Sequence, residues 1–190
     1  MIRKATVSDV PAMAQIINDA AELGLMLPKS LASLYETVRA FHVAVEGDDT
    51  ADVQRVVGVC GLSVVWANLA EVASLAVEKD QRGKGLGRKL VETVLEEAKQ
   101  LGIPRVMTLT YEQAFFEKLG FAVLDRQELP LKVWSECVRC PKNQACDEIA
   151  MVRVIAGVDE PAGMPTPPRP TDYEVPVVLT SRGQSKAQGD

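Results

Sequence analysis

Residues 71–101 constrain this chain more than any other stretch: an apolar run, a glycine turn rich in cations, then an amphipathic pattern. Val72-Ala73-Ser74-Leu75-Ala76-Val77 reads as a strand. The turn Gln81-Arg82-Gly83-Lys84-Gly85-Leu86-Gly87-Arg88-Lys89 follows. Its glycines let the backbone approach a ligand, because no Cβ stands in the way. From residue 85 onward Leu86, Leu90, Val94 and Ala98 recur at i, i+4 spacing, with Val91, Leu95 and Leu101 beside them. That spacing predicts a helix with one buried stripe, ended by Gly102 and Pro104. The first amides of a helix lack intrahelical partners and, with the helix dipole, favour an anion. Arg82, Lys84, Arg88 and Lys89 add positive charge at the same point, in a chain of net charge -5. A local cationic patch in an acidic chain points to one anionic small molecule, not to a nucleic-acid face. The expectation is a cradle for a pyrophosphate.

Three kinds of glycine loop hold phosphates in this way. A Walker loop needs a Lys-Ser/Thr pair after its last glycine, and here Arg88-Lys89 follows. A dinucleotide fingerprint needs a ribose-binding acid about 20 residues on. Glu96 and Glu97 come too early and read as the solvated face of the helix. Arg82-Gly83-Lys84-Gly85-Leu86-Gly87 matches Arg/Gln-x-x-Gly-x-Gly/Ala, and here the chain resembles the GNAT acetyltransferases. Glu71 to Val77 with Glu78-Lys79-Asp80 resembles that superfamily's fourth strand and its link into the loop. Ala114-Phe115-Phe116-Glu117-Lys118-Leu119-Gly120-Phe121 resembles its later helix and following strand. The resemblance implies an α/β (α+β) GNAT fold: a central mixed, mostly antiparallel sheet, splayed at the acyl-CoA site and flanked by helices. It implies acetyl-CoA as co-substrate, held by Leu75, Ala76 and Val77 and by Arg82, Gly83, Lys84, Gly85, Leu86, Gly87 and Arg88. The splay is expected between the strand at residues 75–77 and the one at 105–110.

A chain of 190 residues with 47% apolar content is expected to form one domain plus a tail. No run of 18 apolar residues suits a membrane span, and the N-terminal residues lack an apolar signal region. The expected setting is cytoplasmic, where four cysteines are thiols or metal ligands more often than disulfides. The elements follow the order β-α-α-β-β-β-α-β-α-β-β. Ser8 or Asp9 is expected to cap the first helix, and Leu31, Leu34, Tyr35 and Val38 to share one side of the second. The domain is expected over 1–156, with a cysteine-containing insert at 129–147. Residues 157–190 form a proline-rich tail expected to be disordered: six of the twenty residues 158–177 are proline.

Acetyl transfer to an amine needs a neutral amine, a stabilised thioester oxygen and a protonated leaving thiolate. Glu71, at the start of the central strand, is the candidate base; read blandly it is a surface carboxylate at a strand end. An N–H of Ala76 or Val77 is the candidate oxyanion donor. Many members of the resembled family carry a tyrosine in the later helix as general acid; here Phe116 stands there and cannot donate. Tyr111 is the candidate substitute, although such a ring commonly just packs.

The insert Leu129-Pro130-Leu131-Lys132-Val133-Trp134-Ser135-Glu136-Cys137-Val138-Arg139-Cys140-Pro141, running on to Cys146-Asp147-Glu148, is distinctive. With Leu25-Met26-Leu27-Pro28-Lys29-Ser30 it resembles the short, stand-alone N-acetylglutamate synthases, single GNAT domains that acetylate the α-amine of glutamate at the start of arginine biosynthesis. The resemblance implies glutamate as acceptor, with Lys29, Ser30, Lys132 and Arg153 as candidate substrate-binding residues; each cation also reads as a solvated surface charge. Glutamine, another amino acid or a polyamine stays open as the acceptor, and so does a non-catalytic acyl-CoA or thiol-redox sensor. No nucleic-acid or membrane partner is expected; a homodimer is compatible with the fold. Cys137, Cys140 and Cys146 sit at zinc-like spacing, with Asp147, Glu148 or Cys60 as a fourth ligand. Free thiols, a Cys137–Cys140 disulfide and a structural zinc all remain open.

Overall fold

The periodicities resolve into seven strands and four helices among residues 1–47, 54–130 and 146–163, which the computed structural model describes. Along the chain these are β1 (Ile2–Lys4), α1 (Val10–Glu22), α2 (Leu31–Thr37), β2 (Phe41–Glu46), β3 (Arg55–Trp66) and β4 (Leu69–Val77). Then come α3 (Leu86–Gln100), β5 (Arg105–Thr110), α4 (Gln113–Glu117), β6 (Ala122–Val123) and β7 (Ile149–Val154). The sheet order is β1-β2-β3-β4-β5-β7-β6. Every neighbouring pair is antiparallel except β4 with β5.

Helices cover both faces of the sheet, which explains why β2 does not alternate in the sequence. Phe41, Val43 and Val45 pack toward α1, and Ala44 packs toward α3, so the strand is buried on both sides. The α1 face adds Val10, Met13, Ile17 and Leu34. The opposite face takes Leu90, Val91, Val94, Leu95 and Ala98 of α3, the stripe expected from spacing. Each such leucine or valine contributes about 1.5–3 kcal/mol by leaving water, so α3 is fixed firmly enough to aim its N-terminus. Leu101 departs from the expectation. It follows the last helical turn and is 56% exposed. In α2 only Leu34, joined by Val38 just beyond, is buried; Leu31 and Tyr35 face outward, because a two-turn helix at the rim meets the core along one narrow line.

The start of α1 also differs from the expected cap. A 3-10 turn, Val7–Asp9, precedes the helix, and the Asp9 carboxylate turns back instead of capping forward. It accepts from Arg3 Nη1 at 2.7 Å and Nη2 at 2.9 Å, and from the Thr6 N–H and hydroxyl at 2.7 Å each. Burial alone would raise the Asp9 pKa; the Arg3 and Thr6 hydrogen bonds outweigh it and hold the group at about 2. The folded value is below the unfolded one. The stabilisation is therefore complete above about pH 4 and is lost as the pH falls toward 2. Urea melts at pH 5 and pH 3 are expected to show a smaller loss of stability for Asp9→Asn than for the wild type. Equal losses would contradict this account.

The beginning of the expected tail is tied down. Val158 packs against the α3 side of the core, and Glu160 pairs with Arg105 at 3.1 Å and accepts from Asn68 at 2.8 Å. The remainder of the tail, from residue 164, lies outside the described residues.

Candidate active site

β4 and β5 run together for two rungs only, Ala70 with Val106 and Glu71 with Met107. At the next position the Thr108 hydroxyl donates to the Val72 carbonyl at 3.3 Å, so a side chain closes what a backbone amide would otherwise close. Thr108 is 2% exposed. Beyond it the strands part, and the gap opens into a cavity of about 1130 Å³ lined by residues 71–77 of β4 and 108–112 at the end of β5. This is the expected splay.

A bulge reshapes β4 where it borders the cavity. Val59 faces Ala76 and Gly61 faces Ala73, so Ser74 and Leu75 together stand opposite Cys60 alone. The extra residue inverts the alternation. Val72 packs toward α3, yet so do Leu75 and Val77, while Ala76 joins the α1 side. Ser74 carries the distortion at φ 52°, a left-handed conformation unusual for a non-glycine residue. Nothing in the sequence signals it, since serine is not the residue such a position normally calls for.

The glycine loop closes one wall. Gly83 and Gly85 have φ of 77° and 79°, and a Cβ on either would meet no atom within 4 Å. That open space lies directly over the backbone, where a diphosphate would approach. Gly85 is the N-cap of α3, so the amides that follow it are those a helix leaves unpaired. The four cations divide. Arg82 lines the cavity and donates from Nε to the Val77 carbonyl at 2.9 Å; Arg88 lines it while pairing with Glu92 at 2.7 Å. Lys84 instead reaches Gln81 at 3.0 Å, and neither Lys84 nor Lys89 is among the residues lining the cavity. Gln81, which the sequence reading passed over, is buried and bonded to both Lys84 and Glu46, and so anchors the loop.

The other candidates fall into two groups. Glu71, at the last β4–β5 rung, lines the cavity together with Tyr111, Lys29, Leu75, Ala76, Val77 and Leu86. Lys29 enters from the α1–α2 connection, whose residues 25–28 form the same wall. Ser30 is not brought in: it caps α2, its Oγ accepting from the Ser33 N–H at 3.2 Å. Arg153 is not brought in either: it covers Gly120 and donates to the Leu119 carbonyl at the end of α4, a structural contact. Lys132, Cys137 and Cys140 lie outside the described residues. Phe116 is a core ring, edge-on to Phe115 at 5.0 Å and to Phe121 at 5.2 Å.

Cys146 lines the cavity with its Sγ 3.7 Å from Glu148 Oε2. Cys60 is sealed in the core, where burial pushes its thiol far above the ordinary range. Among the described residues no three His, Cys, Asp or Glu side chains gather as a metal site. His42 faces Glu97 at 3.5 Å, outside the cavity, and burial followed by the Lys4 charge lowers its pKa. No described helix is long and apolar enough to cross a membrane.

The site is thus a glycine loop at the N-terminus of α3 that opens onto a split between two parallel strands. The Acetyltransferase (GNAT) family matches residues 13–121, and the chain belongs to it. It is therefore an acyl-CoA-dependent N-acetyltransferase. It is 36% identical over 155 residues to an uncharacterized N-acetyltransferase of Chlorobaculum tepidum, covering 81% of this chain and 96% of that one. It is 35% identical over 139 residues to an amino-acid acetyltransferase of Mycobacterium tuberculosis, covering 73% of this chain and 78% of that one. Its fold matches N-acetylglutamate synthase from Neisseria gonorrhoeae, solved with coenzyme A and N-acetyl-glutamate, with a TM-score of 0.71 and 25% identity. That match covers 82% of this chain and 35% of the longer synthase.

Proposed function

We propose that this chain is an acetyl-CoA-dependent amino-acid N-acetyltransferase that acetylates the α-amine of L-glutamate, the entry reaction of arginine biosynthesis, in the cytoplasm. The observation that carries this reading is one cavity lined by the glycine loop, by Glu71 and by Lys29. The relatives named amino-acid acetyltransferase and N-acetylglutamate synthase support the acceptor class.

Acetyl-CoA is the co-substrate that supplies the acyl group. The loop suits its diphosphate, because the space over Gly83 and Gly85 is open and the amides at the start of α3 point to an anion. Glu71, directly or through a water, takes a proton from the α-ammonium group. The freed nitrogen lone pair attacks the thioester carbonyl carbon; the C–N bond forms, the nitrogen gives its second proton to water, and the C–S bond breaks. An N–H of Ala76 or Val77, just past the bulge, steadies the carbonyl oxygen as it gains charge. The departing thiolate recovers a proton from Tyr111 or solvent. With a thiol pKa near 8.5, its departure needs no strong acid, which fits a phenylalanine at position 116.

Lys29 gives the side-chain carboxylate of glutamate a cation. A charged hydrogen bond of this kind is worth about 1.5–3 kcal/mol. Lys29→Met is expected to raise the KM for glutamate about tenfold or more and to leave the KM for acetyl-CoA within twofold. Steady-state kinetics in each substrate check this, and equal changes in both would contradict it.

Glu148 lines the same cavity, which favours a second reading with a neutral acceptor such as glutamine. Thiol release with acetyl-CoA and a panel of glutamate, glutamine, neutral amino acids and a polyamine decides between them. The proposal expects glutamate to give the highest kcat/KM. Preference for glutamine or a polyamine overturns the glutamate reading. CoA binding without turnover of any amine favours a sensor.

A further inference from the structure

The α1–α2 connection, residues 25–29, lines the cavity along its whole length without belonging to a helix or strand. Its start is fixed by the end of α1: Gly24, at φ 73°, donates to the Ala21 carbonyl at 2.9 Å, and Leu25 donates to Ala20 at 3.1 Å. At its far end, just before the Ser30 cap of α2, one side chain holds the backbone. Asn18 of α1 accepts from the Lys29 N–H through Oδ1 at 3.0 Å and donates from Nδ2 to the Lys29 carbonyl at 3.1 Å. A carboxamide carries the one acceptor and the one donor needed to pair both backbone groups of one residue, as a neighbouring strand would. The rigid helix α1 is thereby connected to the backbone of the cation in the cavity wall.

We infer that Asn18 is a positioning residue that supports acceptor binding in this enzyme by holding the Lys29 backbone. This rests on the reading that residues 25–29 form the acceptor wall. Asn18 is not among the residues lining the cavity, and the glycine loop lies on other elements. Its loss should therefore loosen the acceptor end and spare the cofactor end.

The test uses Asn18→Ala and Asn18→Asp in the full chain, with the amine that the wild type turns over best. Loss of two neutral hydrogen bonds predicts about tenfold faster exchange of the Lys29 amide and about a tenfold higher acceptor KM. The KM for acetyl-CoA is expected within twofold of wild type. Asn18→Asp keeps an acceptor for the Lys29 N–H and loses the donor, so it should recover part of the exchange protection and part of the KM. Unchanged exchange in the variants overturns the inference, as does faster exchange with an unchanged acceptor KM. A parallel rise in both KM values also overturns it, since that marks general loosening. Should Asn18→Ala fail to fold, Asn18→Asp is read by the same criteria. A wild type that acetylates no amine would defeat the functional reading instead, and the exchange result would still decide whether Asn18 holds the wall.

Discussion

Valine at position 85 is expected to weaken acetyl-CoA binding about 100-fold, or about 2.7 kcal/mol, and to leave a folded protein. Gly85 holds φ at 79°, where a β-branched residue is strongly disfavoured. No atom lies within 4 Å of the position its Cβ would take, so the Cβ itself strikes nothing in the protein. The added side chain enters the space left for the diphosphate, and backbone strain pulls the first amides of α3 out of line. The apolar stripe of α3 is untouched, so the thermal midpoint should fall only modestly. Calorimetric titration with CoA reads the effect. Lys84→Ala is the matched control: Lys84 belongs to the same loop but is bonded to Gln81, not turned to the cavity, and should change affinity by less than about threefold, consistent with an exposed polar contact. Wild-type affinity in Gly85→Val would contradict the proposed cradle.

For Glu71→Gln the expected loss is in turnover. General-base catalysis contributes about 100-fold or more, and the amide keeps the shape of the carboxylate but cannot take a proton. The deficit should be largest while the α-amine of the free amino acid is protonated, and should narrow as the pH rises toward that amine's own pKa and solvent supplies the neutral form. The KM for acetyl-CoA should stay near the wild-type value, because Glu71 is on β4 at the mouth of the split and the glycine loop is a separate wall. A pH–rate profile parallel to that of the wild type would remove Glu71 as the base.

The sheet, the α3 stripe and the loop were legible because each leaves a local trace: alternating or continuous apolar runs, an i, i+4 ridge, and glycines beside cations. The splay was legible only by way of family resemblance. It depends on long-range pairing: the β4–β5 ladder ends after Glu71 and Met107, and the Thr108 hydroxyl then takes the Val72 carbonyl in place of a backbone amide. The Ser74 bulge had no trace at all, because backbone strain at a serine is imposed by the register with β3. Lys84 and Lys89 looked equivalent to Arg82 and Arg88 in sequence, but the direction of each side chain depends on partners such as Gln81 that spacing does not reveal. Arg153 read as a substrate cation for the same reason, although the Leu119 carbonyl takes up its guanidinium. Asn18 was invisible because its partner, the Lys29 backbone, has no sequence signature.

The account turns on where the nucleotide of the thioester sits, and amide chemical shifts report this residue by residue. In a titration of the labelled protein with CoA, the account predicts the largest shifts at the N–H groups of Gly83, Gly85, Leu86, Gly87 and Arg88, followed by those of Leu75, Ala76 and Val77. Saturating shifts confined to a second, separate groove lined by Lys4, His42 and Lys89, with the loop amides unmoved, would contradict it.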